Sequence, residues 1–313
     1  MSIRFDPTHW ALILGGSSGF GLATAQKLAR HGMNVAVVHR DRRGAMAAIE
    51  PKFEELRKTG VGFLALNLDA LSAEGRQTAL DALAVAMGGA GRVRLLMHSI
   101  AFGNLKPIAP PAPVKDEACA RLAAQLKLDP AVLEAAIRAT FSAGNADSLA
   151  GLLQTPPSDS DAVLEEEDFA RTVHSMGTSL VVWVQDLFAR KLFTADARVL
   201  GMTSEGNEIA WRGYAAVAAA KVALESVSRA IAVELGPYGI RSNIVQAGVT
   251  DTPALRLIPG SDKMKAGARE KNPLGRLTTP ADVADFICLL CTDEAHWVNG
   301  ALLRCDGGER IAG

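Results

Sequence analysis

No apolar run in the sequence is long enough to span a bilayer, and the opening residues, MSIRFDPTHW, are too few and too polar for a signal peptide. The expectation is a cytoplasmic protein that does not enter a membrane. Neither sign of charge is in excess: 33 Lys and Arg stand against 34 Asp and Glu, for a formal net charge of -1. That leaves no basic field for nucleic acid. Cysteines are few, with 4 in 313 residues, and scattered. Cys288 and Cys291 form C-L-L-C, a spacing that invites a redox or zinc reading. The surrounding DVADFICLLC has helical apolar spacing, however, which puts both thiols on a core face, and no second pair completes a metal site. The 6 histidines are equally dispersed, so no metal is expected. Tyrosine is rarest of all: the chain holds 2, Tyr214 and Tyr238.

What is present is apolar alternation. With 49% hydrophobic residues the chain can bury a full core. Short apolar runs ending at turn residues predict strands over 10–14, 34–38, 62–68, 93–98, 198–202, 240–245 and 301–305. Helical spacing predicts helices over 19–31, 45–58, 73–87, 166–191, 214–235 and 280–292. Strands this apolar, separated by helices, imply a parallel sheet covered on both faces: a doubly wound α/β (Rossmann) fold, with residues 1–313 as one reductase domain.

Residues 104–164 break the rhythm. They hold no strand pattern and carry the prolines of 107–113 and 156–157. Helices are expected over 116–126 and 129–141, the second opened by Asp129 as N-cap and Pro130 at the first helical position. This is a helical insertion after the fourth strand. Leu122, Leu126, Leu133, Ile137 and Phe141 offer apolar faces that could roof a substrate pocket.

The first strand runs into LGGSSGFG. Gly15 permits a tight turn, and Gly19 and Gly21 let backbone and helix approach a pyrophosphate, whose oxygens would lie at the helix N-terminus where free N–H groups favour negative charge. The second strand ends in VVHRDRR. An acidic residue at the strand end would accept from the ribose of NAD(H). Here His39 and Arg40 come first, and a guanidinium can pair with a 2′-phosphate in bidentate fashion, so NADP(H) is favoured over NAD(H). Asp41 keeps NAD(H) open.

The glycine spacing G-x-x-x-G-x-G resembles the short-chain dehydrogenase/reductase family. Members usually place Thr or Ser before the first glycine; here Leu14 stands there. The usual catalytic pattern is a tyrosine four residues before a lysine, with a serine thirteen before the tyrosine. With Lys221 as the lysine, the tyrosine position holds Val217, which cannot do acid chemistry, and the serine position holds Ser204. Tyr214 lies seven residues before Lys221. That spacing, the segment LMHSIAF at 96–102 and the stretch from Tyr214 to Glu309 resemble the NADPH-type enoyl-acyl-carrier-protein reductases (type III). Met176 stands where most members have an active-site asparagine.

The resemblance implies catalytic roles for Tyr214, Lys221 and Ser204. Seven residues are almost two helical turns, so Tyr214 and Lys221 can face one cofactor. For a ketone, the hydride-accepting carbon and the oxygen are bonded neighbours. For a 2-enoyl thioester, hydride lands on Cβ while charge develops on the carbonyl oxygen further along, which a displaced hydroxyl suits. Lys221 would hold the nicotinamide ribose and, as a nearby cation, favour an acidic tyrosine.

Cofactor contacts are implied along the glycine turn at Gly15, Ser17, Ser18, Gly19, Phe20 and Gly21, and at His39 and Arg40. Leu68 and Asp69 would hold adenine. Ser99, Ile100 and Ala101 would flank the adenine ribose and nicotinamide. Ala247, Gly248 and Val249 would contact the carboxamide side, with Thr252 on the pyrophosphate.

The implied substrate is an acyl thioester on CoA or acyl carrier protein, and the implied assembly a homotetramer. Residues 254–276 would form a flap over it. Their six basic residues, Arg256, Lys263, Lys265, Arg269, Lys271 and Arg276, against Asp262 and Glu270, suggest a seat for the carrier's phosphates. A carbonyl reductase or alcohol dehydrogenase of the same family, and a non-catalytic dinucleotide sensor, stay open as alternatives.

Overall fold

The computed structural model describes residues 3–110, 118–144, 146–153 and 162–312. The chain alternates β1 (His9–Leu14), α1 (Gly19–Arg30), β2 (Asn34–His39), α2 (Met46–Arg57), β3 (Phe63–Asn67), α3 (Ala73–Met87) and β4 (Arg92–His98). Two helices of the insertion follow, α4 (Ala118–Leu126) and α5 (Pro130–Ala143), then a 3-10 segment at Asp147–Leu152. The alternation resumes with α6 (Glu166–Val173), α7 (Ser179–Ala189), β5 (Phe193–Thr203), α8 (Ala215–Leu235) and β6 (Ile240–Ala247). It closes with α9 (Pro253–Arg256), α10 (Ser261–Lys271), α11 (Pro280–Leu290) and β7 (Leu302–Cys305).

The sheet is all parallel, in the order β3-β2-β1-β4-β5-β6-β7. The order reverses between β1 and β4, which opens a crevice at their C-terminal ends. Apolar side chains alternate between the two faces. Ala11, Ile13, Val35 and Val37 join α1 and α11 on one side, and Trp10, Leu12, Leu14 and Val38 join α3 and α7 on the other. Cys288 and Cys291 are buried in the first of these cores, and burial pushes the Cys291 thiol up to about 12. The doubly wound single domain expected from the sequence is the observed one.

Two elements depart from the expected boundaries by more than two residues. The helix expected over 166–191 is two helices joined by a π-helical turn at His174–Thr178. The cause is crowding: a Cβ on Gly177 would stand 2.7 Å from the carbonyl oxygen of Ala220 on α8, so the two backbones touch where the widened turn lies. β5 starts five residues early, because Asp196 pairs with the buried guanidiniums of Arg94 and Arg198 at 2.6 Å each, which extends the strand through a polar stretch. In the insertion, α5 begins at Asp129–Pro130 as expected, with the Asp129 carboxylate accepting from Ala131 N at 2.7 Å. The start of the helix expected over 116–126, the prolines at 111–113 and those at 156–157 lie outside the described residues.

Among the described residues of the insertion, the apolar faces pack against one another. Cys119, Leu122, Ala123, Leu133, Ile137 and Phe141 pack with Leu149, Leu152 and Leu153 into a small core of their own, and Leu126 is 54% exposed. Two amphipathic helices side by side bury their stripes against each other first.

Candidate active site

The turn after β1 is built on glycine geometry. Gly15 has φ +86, and a Cβ there would stand 2.6 Å from the Ser99 carbonyl oxygen; a Cβ on Gly21 would stand 2.2 Å from the Gly15 carbonyl oxygen. Gly21 therefore packs α1 onto the turn and does not line the cleft beside it. Ser18 caps α1 with extended backbone and makes no side-chain cap bond, and no acidic residue stands in the first turn. The helix thus presents N–H groups to a cleft lined by Gly15, Ser17, Ser18, Gly19 and Phe20.

His39, Arg40, Leu68 and Asp69 line the far end of the same cleft. The His39 ring is buried edge-on to Phe53 and holds Asp41 at 2.8 Å, so it anchors a neighbour. Asn67 clasps the Asp41 backbone from both sides at 3.0 Å. Arg40 lies over the Phe102 ring at 4.6 Å and bridges to Asp69 at 2.9 Å. Phe102 closes LMHSIAF, and nothing in the sequence pairs it with a residue so distant.

Ser99, Ile100 and Ala101 join this cleft to a deeper cavity between β5, α8 and the loop after β6. His98, just before them, is buried beside Ser179 at 2.9 Å, and burial lowers its pKa to about 3, so it is neutral.

Tyr214, Lys221 and Ser204 meet in the deeper cavity. Tyr214 stands at the N-terminal end of α8, its hydroxyl 3.4 Å from Ser204 Oγ and its ring edge-on to Trp211 at 5.5 Å. Lys221 Nζ is buried and donates to the Met202 carbonyl at 2.8 Å. Burial lowers its pKa to about 8, against the opposing pull of Glu225. The expected acidic tyrosine is not what the geometry gives. Burial holds the Tyr214 phenol above its ordinary range and only the Ser204 bond opposes it, because the Lys221 ammonium is directed at β5.

Val217 and Met176 are buried against Leu105 and Tyr214, forming an apolar wall. Trp211, Leu105, Ile258 and Met264 also line the cavity and carry no motif in the sequence. Ala247, Gly248 and Val249 line its other side. Thr252, which caps α9 through Leu255 N at 3.2 Å, borders both halves.

The flap, α9 and α10, is less available than its charge suggests. Arg256 pairs with Asp251, Lys265 with Asp262, and Arg276 with Asp282. Arg269 grips Asp147 of the insertion with two bonds of 2.6 Å. Much of the expected basic surface is consumed by these pairs. Among the described residues no group of three or more His, Cys, Asp or Glu could hold a metal ion, and no helix is long and apolar enough to cross a membrane.

Residues 142–309 match the family described as Enoyl-(Acyl carrier protein) reductase, and residues 9–120 match the short chain dehydrogenase family. A 1-cyclohexenylcarbonyl-CoA reductase of Streptomyces collinus is 35% identical over 126 residues, 39% of this chain and 45% of that protein. A tetrahydroxynaphthalene reductase of Pestalotiopsis fici is 35% identical over 106 residues, 30% of this chain and 38% of that one. The chain spans about half, or less, of the length of the curated relatives it matches. A short chain dehydrogenase of Burkholderia cenocepacia solved in complex with NADP superposes with a TM-score of 0.69 at 21% identity, covering 99% of this chain and 100% of the other.

Proposed function

The chain belongs to the short-chain dehydrogenase/reductase family, and from that premise we propose that it is an oxidoreductase delivering hydride from NADPH to the Cβ of a 2-enoyl thioester carried on CoA or acyl carrier protein. The observation that carries the reading is the placement on α8. Val217 occupies the family's usual tyrosine position as part of an apolar wall, while the phenol sits at Tyr214, at the helix start and still inside the cavity.

The residues present fit a dinucleotide. The uncapped N-terminus of α1 and the Cβ-free turn at Gly15 suit a pyrophosphate, and the exposed face of Arg40 suits a 2′-phosphate. Asp41, the residue that would favour NAD(H), has one carboxylate oxygen held by His39, and its backbone is fixed by Asn67. Ser17, Ser18, Gly19 and Phe20 would contact the phosphates with Thr252, Leu68 and Asp69 the adenine, and Ala247, Gly248 and Val249 the carboxamide.

The bound cofactor supplies the hydride. Lys221, a buried ammonium with a neutral partner in Met202, has donors to spare for ribose hydroxyls. Tyr214, kept protonated by burial, donates a hydrogen bond to the oxygen on which enolate charge develops, and then its proton. Val217, Met176 and Leu105 exclude water from that oxygen.

The Ser204–Tyr214 contact favours a second reading, carbonyl reduction, since two hydroxyls 3.4 Å apart can share one ketone oxygen. Oxidation of NADPH and NADH against matched 2-enoyl and 3-oxoacyl thioesters separates the two. Faster turnover of the 2-enoyl series with NADPH is expected; preference for the 3-oxoacyl series overturns the proposal, and turnover of neither favours a dinucleotide sensor. Family likeness extends the proposal to a homotetramer, which sedimentation tests.

A further inference from the structure

Val249, on the wall of the cavity, is held from behind by a buried carboxyl. Glu309 is 3% exposed, and its Oε1 and Oε2 lie 3.2 and 3.1 Å from the Val249 nitrogen, which donates into both. Among the described residues no other hydrogen bond reaches this carboxyl. The turn that brings Glu309 round is braced by Asp306, whose carboxylate accepts from Gly308 N and Arg310 N at 3.0 Å each.

The fit behind the loop is close. A Cβ on Gly248 would stand 2.7 Å from Glu309 Oε2 and 2.5 Å from Thr278 Oγ1. Glu309 itself does not line the cavity; its reach into it runs through the backbone of residues 247–249, whose opposite side does. The loop's other ties are the pairing of Ala247 with Cys305 in the sheet, a 3.4 Å bond from Gly248 N to the Cys305 carbonyl and the local 3.0 Å bond from Thr250 Oγ1 to the Gly248 carbonyl.

We propose that Glu309 is a positioning residue, clasping the 247–249 loop at Val249 N and thereby fixing the wall against which the nicotinamide ring rests. The inference deepens the functional reading and rests on it for what occupies the cavity. A buried acceptor with a single donor cannot trade it for water, so the loop and the carboxyl move together.

The clasp responds to pH. Burial is the main cause that lifts the Glu309 carboxyl to about 7, the bond from Val249 opposes it, Glu205 from the turn after β5 and Asp306 add to the lift, and Lys271 at the end of α10 counters them. Ionisation turns a neutral hydrogen bond into a charge-assisted one, which tightens the clasp.

The test is titration of the full chain with NADPH and with 2′-phospho-ADP-ribose, which has the adenine half and lacks the nicotinamide. Glu309→Ala is expected to weaken NADPH about tenfold and to leave 2′-phospho-ADP-ribose unchanged. Glu309→Gln keeps an acceptor for Val249 N. It should bind NADPH within about threefold of wild type at about pH 6 and lack the wild type's tightening toward about pH 8. The inference is overturned if Glu309→Ala binds both ligands as wild type does, if it loses both alike, or if Glu309→Gln tracks the wild-type pH dependence. Should the alanine variant not fold, the glutamine variant decides alone. Wild-type protein binding neither ligand would overturn the dinucleotide reading itself, a separate result from the other three.

Discussion

The Tyr214 hydroxyl stands 3.4 Å from Ser204 Oγ, and among the described residues that serine is its one hydrogen-bond partner. Its phenol is half-buried and held above its ordinary pKa by that burial, so it is a donor throughout the neutral range. Tyr214→Phe keeps the ring's contact with Trp211 and deletes the donor. It should lower kcat by about a hundredfold or more while leaving the Kd for NADPH unchanged. Stopped-flow turnover beside a fluorescence titration checks both halves; equal loss of binding would assign the hydroxyl to the cofactor.

Lys221 gives a prediction with two opposite signs. Burial depresses it from an ordinary 10.5 to about 8, so it is charged below that value and neutral beyond it. Above about pH 8, beyond the window in which Glu309 titrates, cofactor affinity of the free protein should fall, and Lys221→Met should be weak and lack that fall. Between about 8 and 10.5 the unfolded chain holds this proton and the folded chain does not, so the group's contribution to stability rises with pH over the same window. Thermal melts against pH, wild type beside Lys221→Met, isolate that contribution.

Arg40 is expected to set the choice of cofactor. Its guanidinium is steadied by Asp69 and the Phe102 face, which leaves its remaining donors aimed at the cleft. Arg40→Ala should lower kcat/KM for NADPH by roughly tenfold to a hundredfold and leave NADH within about threefold. Parallel loss with both cofactors would contradict the assignment.

The insertion and the flap are joined by Asp147 and Arg269 at 2.6 Å. Ile137→Asp places a charge in the insertion's own core, and Arg269→Ala cuts the joint from the flap side. Both should speed hydrogen exchange at the amides of α10. Unchanged α10 protection in Ile137→Asp would mean that the two segments order independently.

The sheet was legible because its first two strands are continuous apolar runs, as in Ala11–Ile13 against Val35–Val37, and the others hold apolar stretches; a strand buried on both faces needs no partner to be recognised. The glycine turn was legible because the constraint at Gly15 is local. Ser204, Tyr214 and Lys221 were found because their spacing resembles a family's catalytic pattern. What the sequence hid depends on long-range meetings. Asp147 reaches Arg269, Phe102 lies under Arg40, and Glu309 reaches Val249, each across a separation that no periodicity encodes. The acidic tyrosine was expected from proximity in number. The direction of the Lys221 ammonium, toward the Met202 carbonyl, is a matter of packing.

The central claim is where the hydride lands. With NADPH deuterated at the transferred position and a 2-enoyl thioester, NMR of the product should find deuterium on Cβ, at a rate that Tyr214→Phe lowers and Ser204→Ala lowers less. Deuterium found instead on the carbinol carbon of the 3-hydroxyacyl thioester formed from a matched 3-oxoacyl substrate, with the 2-enoyl compound returned unlabelled, would contradict the account.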